Sequence, residues 1–143
     1  MTADRQALLI SIHPVYSDLI FKREKTVELR RKFDPTLVGS RLLIYSTLPT
    51  GAIIGHARIG AVHILLTKDI WERFSAIAMI GESDFWRYYS GLDRGFVIEI
   101  ENPQRFAVPI TLHEMRSRYA IKPPQSYMFL REEHSGILRH EHR

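Results

Sequence analysis

The sequence predicts an α+β domain, a small bent β-barrel of about six strands with helices inserted between the strands. Three observations carry that expectation. Apolar or alternating runs recur about six times along the chain. Between several of them, apolar residues recur at helical rather than strand spacing. The longest apolar run, residues 52–66, is interrupted by Gly55 and Gly60. Interior glycines in a strand pattern mark bulges or bends, and such bends let a small sheet curl toward closure.

Taken in order, Ala7-Leu8-Leu9-Ile10-Ser11-Ile12 reads as a buried strand stopped by Pro14. Val15, Leu19 and Ile20 then fall at helical spacing, with Pro14 tolerated in the first turn, so a helix is expected over about 14–23. From Thr26 the period becomes two. Thr26, Glu28 and Arg30 share one strand face, and Val27, Leu29 and Arg31 the other. Asp34-Pro35 and Gly39-Ser40 mark a connection, residues 41–45 form a strand, and residues 46–51 a loop.

After the long strand, Thr67 is expected to cap a helix carrying Ile70, Trp71, Phe74 and Ile77. Ser83 is expected to cap another, carrying Phe85, Trp86 and Tyr89. Residues 95–101 alternate as a strand, Asn102-Pro103 reads as a turn, and residues 105–112 as the hairpin partner. A short helix is expected near 113–119, an extended stretch over 122–126 and a closing strand over 127–130. The expected core spans about residues 8–130 of one domain covering 1–143, with a polar, loose tail from Arg131.

Composition narrows the function classes. The chain has no Cys, which excludes a disulfide framework, a thiol nucleophile and a Cys-based zinc site. Residues 1–6 lack the basic-then-apolar build of a signal peptide, and no apolar run reaches the roughly 18 residues needed to span a bilayer. A cytoplasmic protein without a membrane partner is the expectation; no signature of oligomeric state is present. No Walker A, G-x-G-x-x-G, G-x-S-x-G or H-E-x-x-H pattern occurs, which argues against P-loop, Rossmann and ordinary serine-hydrolase enzymes.

The charge is concentrated. Residues 22–32 hold six basic and two acidic side chains, a local +4 that equals the net charge of the whole chain. Together with a pI near 9.6, this points to an anionic partner, nucleic acid first. Within the stretch, Glu28 and Arg30 project from one strand face about 6.6 Å apart. Lys25 joins them only if the turn into the strand has not ended before it. A Lys, a carboxylate and an Arg in one place bind phosphate and read a base edge. An exposed edge strand carrying an ion pair accounts for the same residues.

The segment Arg23-Glu24-Lys25-Thr26-Val27-Glu28-Leu29-Arg30 resembles the G-x-K-x-x-E-x-R signature of the ASCH domain family, a branch of the PUA-like superfamily. It matches the Lys, Glu and Arg and departs at Arg23, where the family has Gly. Leu9–Pro14, Ile44–Ser46, Ile54-Gly55, Phe96–Ile100 and Pro123–Tyr127 resemble the family's elements in order. The resemblance implies a small β-barrel with a cleft beside the first helix and an RNA- or nucleotide-related role. It frames the first expectation, RNA or nucleotide binding in a basic cleft. There Lys25 and Arg30 hold phosphate, Glu28 accepts from a base or ribose donor, and His13, Ser46 and Ser126 complete the ligand-binding set. The alternative is an enzyme on RNA or a modified nucleoside, with Glu28 as general base, Lys25 as charge stabiliser and Arg30 as substrate clamp. Small relatives that hydrolyse acetylated cytidine have a Thr where this chain has Glu28. Thr26 lies two residues from that position, which weakens the amidohydrolase-like reading, though Glu28 with Lys25 can still act through water, and ribonuclease activity stays open on the same residues.

Other candidates are weighed against plainer accounts. The aromatics Trp71, Phe74, Phe85, Trp86, Tyr88 and Tyr89 suit stacking on bases, but their spacing suits core packing first. Tyr45 and Trp86 are the expected pocket wall. His56 and His63 fall on opposite strand faces, a poor chelate, and His140-Glu141-His142 sits in the expected loose tail. No metal and no cofactor are expected.

Overall fold

Six strands order as β2-β5-β4-β3-β1-β6 in one mixed sheet, and the sheet curls into a half-barrel. The computed structural model describes residues 6–139. In chain order the strands are β1 (Ala7–Ile12), β2 (Val27–Arg30), β3 (Arg41–Ser46), β4 (Ala52–Leu66), β5 (Arg94–Thr111) and β6 (Tyr127–Phe129). Helix α1 (Pro14–Phe21) links β1 to β2, and α2 (Thr67–Ala78) and α3 (Glu82–Tyr88) link β4 to β5. Helices α4 (Leu112–Ser117) and α5 (Ser135–Leu138) flank β6. β1 runs parallel to β3, and every other pairing is antiparallel. The expected α+β fold, a small bent barrel of about six strands with inserted helices, is therefore observed, with the sheet curled as a half-barrel.

Strand alternation sorts the apolar side chains into layers. Leu8, Ile10 and Ile12 of β1 join Leu42, Ile44, Ala57, Ile59, Ile98 and Ile100 inside the curl. Leu9, Leu43 and Tyr45 point the other way, into a second layer with Ile110, Met115, Ile121 and Ile137. Val27 and Leu29 face α2 and α3 through Ile70, Phe74, Ala78, Phe85 and Tyr89. Burying an aliphatic side chain of this size is worth about 1.5–3 kcal/mol, so β2 is anchored by its apolar face. Its polar face is left to point elsewhere.

Several local expectations change. Residues 105–111 do not fold back on 95–101. Asn102 takes a φ of 52°, kinking one continuous β5, and both halves pair with β4, as in Ile98 with Val62 and Arg105 with Gly55. Asparagine tolerates that left-handed conformation, so Asn-Pro makes a bulge here instead of a turn. Gly55 sits at such an irregularity; a Cβ there would lie 2.4 Å from the Gln104 carbonyl oxygen and 2.6 Å from the Phe21 ring.

The two middle helices start earlier than the expected caps, by one residue in α2 and two in α3. Leu66 and Gly81 occupy the cap positions without side-chain capping bonds, and Thr67 and Ser83 lie inside. Helix α1 ends at Phe21, not Arg23. The segment after Arg131, expected to be loose, makes a 3₁₀ turn over Glu132–His134 and then α5. It buries Ile137 completely, because Met115 and Ile121 leave an apolar face for it to cover.

Candidate functional site

The site begins at the C-terminal end of α1. The Arg23 N–H donates to the Ile20 carbonyl at 2.9 Å, and the Glu24 N–H reaches back to Leu19 at 3.0 Å. This is the paired closure that ends a helix on a left-handed residue. That residue is Arg23, with φ 64°. Its place in the turn explains the glycine of the family signature, since only glycine adopts that conformation without a Cβ penalty. Arg23 is held by a bond from Nη2 to the Pro103 carbonyl at 3.1 Å. The reversal carries the chain inward, and Lys25, two residues on, is 3% exposed.

Lys25 Nζ donates to the Ala78 carbonyl, the last residue of α2, at 2.6 Å. A helix C-terminus offers unpaired carbonyls and a negative dipole end, a natural seat for an ammonium. Nζ also lies 3.7 Å from Glu28 Oε1 and 5.1 Å from the Tyr16 ring centre. Burial pushes the Lys25 pKa down, while Glu28 pushes it up and Arg30 lowers it further. Glu28 is itself buried. Its Oε2 accepts from Arg30 Nη2 at 2.9 Å and from Nε at 3.1 Å. Arg30 Nη2 also donates to the Ser11 carbonyl at 2.8 Å, and Nη1 to Ser126 Oγ at 3.2 Å. One guanidinium therefore ties β2 to β1 and to the start of β6, bridging the open side of the curl.

Lys25, Glu28 and Arg30 thus converge, and they line a cleft of about 340 Å³. His13 lines it too, exposed, with Nδ1 3.4 Å from Thr47 Oγ1. Ser126 stands beside it as a partner of Arg30. Ser46 does not reach it; the side chain is fully buried and its hydroxyl pairs with Ser17 at 2.9 Å. The expected wall also changes. Tyr45 packs in the second apolar layer, and Trp86 sits 41% exposed, edge-on to Phe85. The walls are Tyr16 and Tyr88, with Ile80 and Asp84. The helical wheel of α3 held the signal for Tyr88: Phe85 and Tyr89 mark the buried stripe, which places Tyr88 on one border of it and Trp86 on the other. Burial raises the pKa of both wall tyrosines, most simply because their phenols leave water.

The cleft is balanced in charge, not basic. Its lining carries the cations Lys25 and Arg30 against the carboxylates Glu28 and Asp84. The rest of the basic stretch is dispersed. Lys22, Arg23 and Lys32 are exposed, and Arg31 donates to the Tyr88 and Ser90 carbonyls at 2.6 and 3.1 Å. Arg30 spends four of its N–H donors inside the protein, two of them on Glu28. Glu28 Oε1 faces only the more distant Lys25 ammonium, at 3.7 Å, and Lys25 keeps donors beyond the one given to Ala78. A carboxylate fixed through one oxygen, beside an ammonium kept in a low-dielectric pocket, suits proton abstraction next to a developing negative charge.

Among the described residues no cluster of three or more His, Asp or Glu side chains is placed to hold a metal ion, and no helix is long and apolar enough to cross a membrane. His63 instead pairs with Glu99 at 2.7 Å. His140-Glu141-His142 lies outside the described residues.

The ASCH domain model matches residues 10–110. An ASCH domain-containing ribonuclease from Zymomonas mobilis is 30% identical over 138 residues, covering 94% of this chain and 91% of that one. The crystal structure of ASCH from Zymomonas mobilis superposes with a TM-score of 0.86 at 29% identity, over 94% of both chains. The human THYN1 protein, solved in complex with 5-methylcytosine-containing DNA, superposes with a TM-score of 0.58 over 96% of this chain and 98% of its own. At 12% identity that last likeness is one of fold.

Proposed function

The chain belongs to the ASCH domain family, and from that premise we propose that it is a ribonuclease acting on single-stranded RNA in the Lys25–Glu28–Arg30 cleft. The observation that carries the reading is the buried Glu28 carboxylate, one oxygen locked by Arg30 and the other turned toward Lys25 in an open cleft. A relative covering nearly its whole length that is called a ribonuclease supports the same reading. The volume lies at the small end of the range for ligand sites and suits one nucleotide, not a duplex. Single-stranded RNA can turn one unstacked nucleotide into it, with the base against an aromatic wall.

In this reading Glu28 Oε1 takes the proton of the ribose 2′-hydroxyl, whose oxygen attacks the adjacent phosphorus. Lys25 faces the charge that builds on the phosphoryl oxygens. His13, at the rim, supplies the proton that leaves with the 5′-oxygen, and the products are a 2′,3′-cyclic phosphate and a free 5′-hydroxyl. Tyr88 and Tyr16 bound the base. Arg30 acts through Glu28 as a positioning residue.

The test uses the purified full chain with labelled single-stranded RNA, the matching duplex and an acylated nucleoside. Cleavage of the single strand to cyclic-phosphate ends is expected. Glu28→Gln should lower the rate by about 10²–10⁴, the usual worth of a general base, while retaining RNA binding by fluorescence anisotropy. Cleavage at the wild-type rate in Glu28→Gln removes the mechanism. Binding without turnover on any of the three substrates returns the protein to a binding module.

A further inference from the structure

Arg31 stands beside the cleft without lining it, and its charge is not matched. It follows β2 directly with an exposed side chain, and Lys32 next to it is exposed too. Among the described residues neither forms an ion pair. This contrasts with Arg30, whose donors go to Glu28, Ser11 and Ser126. A guanidinium has five N–H donors. Arg31 Nη1 gives its two to the Tyr88 and Ser90 carbonyls, at 2.6 and 3.1 Å. The donors on Nε and Nη2 make no hydrogen bond among the described residues.

Those two bonds fix where the arginine points. Tyr88 is the last residue of α3, so both carbonyls belong to the helix end and its exit, where backbone acceptors lack helical partners. Tyr88 reaches back in turn, its hydroxyl donating to the Leu29 carbonyl at 3.2 Å. The phenol ring and the arginine stem therefore span the same gap between α3 and β2 in opposite directions. Tyr88 is also a wall of the cleft. Burial raises its pKa, and the charges of Arg30 and Arg31 offset part of the rise. Arg31 thus flanks the aromatic wall closely enough for its charge to be felt there. Its unspent edge, Nε with Nη2, is a fork that matches two phosphate oxygens.

We infer that Arg31 holds the 5′-phosphate of the nucleotide seated in the cleft. This rests on the ribonuclease reading above and extends it to what must flank the cleaved bond. In that reading the 2′-hydroxyl attacks the phosphate on the 3′ side of the seated nucleotide, beside Lys25. The other phosphate of that nucleotide is on its 5′ side, and the base against Tyr88 brings it to the flank where Arg31 stands. Two bonds to helix-end carbonyls hold the fork in place before RNA arrives, so little side-chain freedom is lost on binding. Lys32 adds a second positive charge on the same flank. The preferred substrate is then a nucleotide that carries a phosphate on its 5′ side, not a 5′-terminal nucleoside.

Two matched pairs of probes test this on the full chain. Uridine 3′-phosphate and uridine 3′,5′-bisphosphate are compared in binding by isothermal titration calorimetry at low ionic strength. The dinucleotide UpA, with a 5′-hydroxyl and with a 5′-phosphate, is compared in cleavage. The wild type should bind the bisphosphate about tenfold more tightly, and a similar factor should appear in kcat/KM, carried by KM. Arg31→Gln should bring both ratios near one, and Arg31→Lys, which keeps the charge but not the fork, should restore part of them. Each ratio is taken within one protein, so a fold weakened by losing the Tyr88 and Ser90 bonds lowers both members alike and leaves the ratio in place. If neither dinucleotide is cleaved while the bisphosphate keeps an advantage that Arg31→Gln removes, the ribonuclease reading falls and the phosphate site stands. If the dinucleotides are cleaved but the wild-type ratio is near one, or Arg31→Gln keeps the wild-type ratio, the site falls and the cleavage reading stands. Failure of the wild type to bind either uridine phosphate also overturns the site.

Discussion

Replacing Arg23 by glycine and by alanine separates backbone strain from side-chain contact at the turn that delivers Lys25. Arg23 holds φ at 64° and spends Nη2 on the Pro103 carbonyl at 3.1 Å. Both substitutions delete that bond, a common loss of about 0.5–1 kcal/mol for a single exposed contact. They differ in the backbone. A residue with a Cβ in the left-handed region costs about 1–2 kcal/mol, and alanine keeps that cost while glycine removes it. Glycine returns about 0.4–1 kcal/mol through the greater freedom of its unfolded chain. The glycine variant should therefore exceed the alanine variant by about 0.5–1 kcal/mol. At a urea m-value of about 2 kcal/mol/M, that separates the midpoints by about 0.3–0.5 M. Against the wild type, glycine should be close to neutral and alanine lower. An alanine variant as stable as the glycine variant, or more so, refutes the account of why the family signature begins with glycine.

Three further outcomes follow from the geometry. Burial holds the Lys25 pKa below 10.5 in the fold, so between that lowered value and 10.5 the unfolded chain binds more protons and this group makes stability rise with pH. The wild type should therefore gain on Lys25→Met in urea unfolding as the pH is raised through that window, and a gap that narrows contradicts it. Ile137 is fully buried, so Ile137→Ala should cost about 2 kcal/mol or more, whereas a loose tail would give a change near zero. Tyr88→Ala should weaken single-stranded RNA binding by about 1–3 kcal/mol if the ring stacks on a base, with Tyr88→Phe close to wild type; equal binding by all three proteins removes Tyr88 from the wall.

Much of the fold was legible because it rests on local periodicity. Alternation separated Val27 and Leu29 from Glu28 and Arg30, and the structure puts the first pair against α2 and α3 and the second in the cleft. The interior glycines announced a bent β4. Legibility failed where a local signal had two outcomes. Asn-Pro serves a turn or a bulge, and the pairing of residues 105–111 with β4 decided for the bulge. Thr67 and Ser83 are good caps, but the helices begin where their apolar faces meet Val27 and Val97, and that moved the caps by one and two residues. Ser46 carries a hydroxyl fit for a ligand, yet a single buried partner, Ser17, consumes it.

By itself the sequence determined which residues could share a face: periods of two and 3.6 are properties of the backbone and need no partner to be read. It therefore determined that Glu28 and Arg30 stand together on β2, while the resemblance to the family signature marked Arg23 as the departure from glycine before them. Only the tertiary structure decided that Lys25 joins them and that the cleft is balanced, not basic. The ammonium is drawn in by the C-terminal carbonyl of a helix 53 residues away. Arg30 is turned inward by Ser11 and Ser126, from opposite ends of the chain. Such partners meet only when the sheet curls, and no local pattern specifies which buried charge will find which orphaned carbonyl.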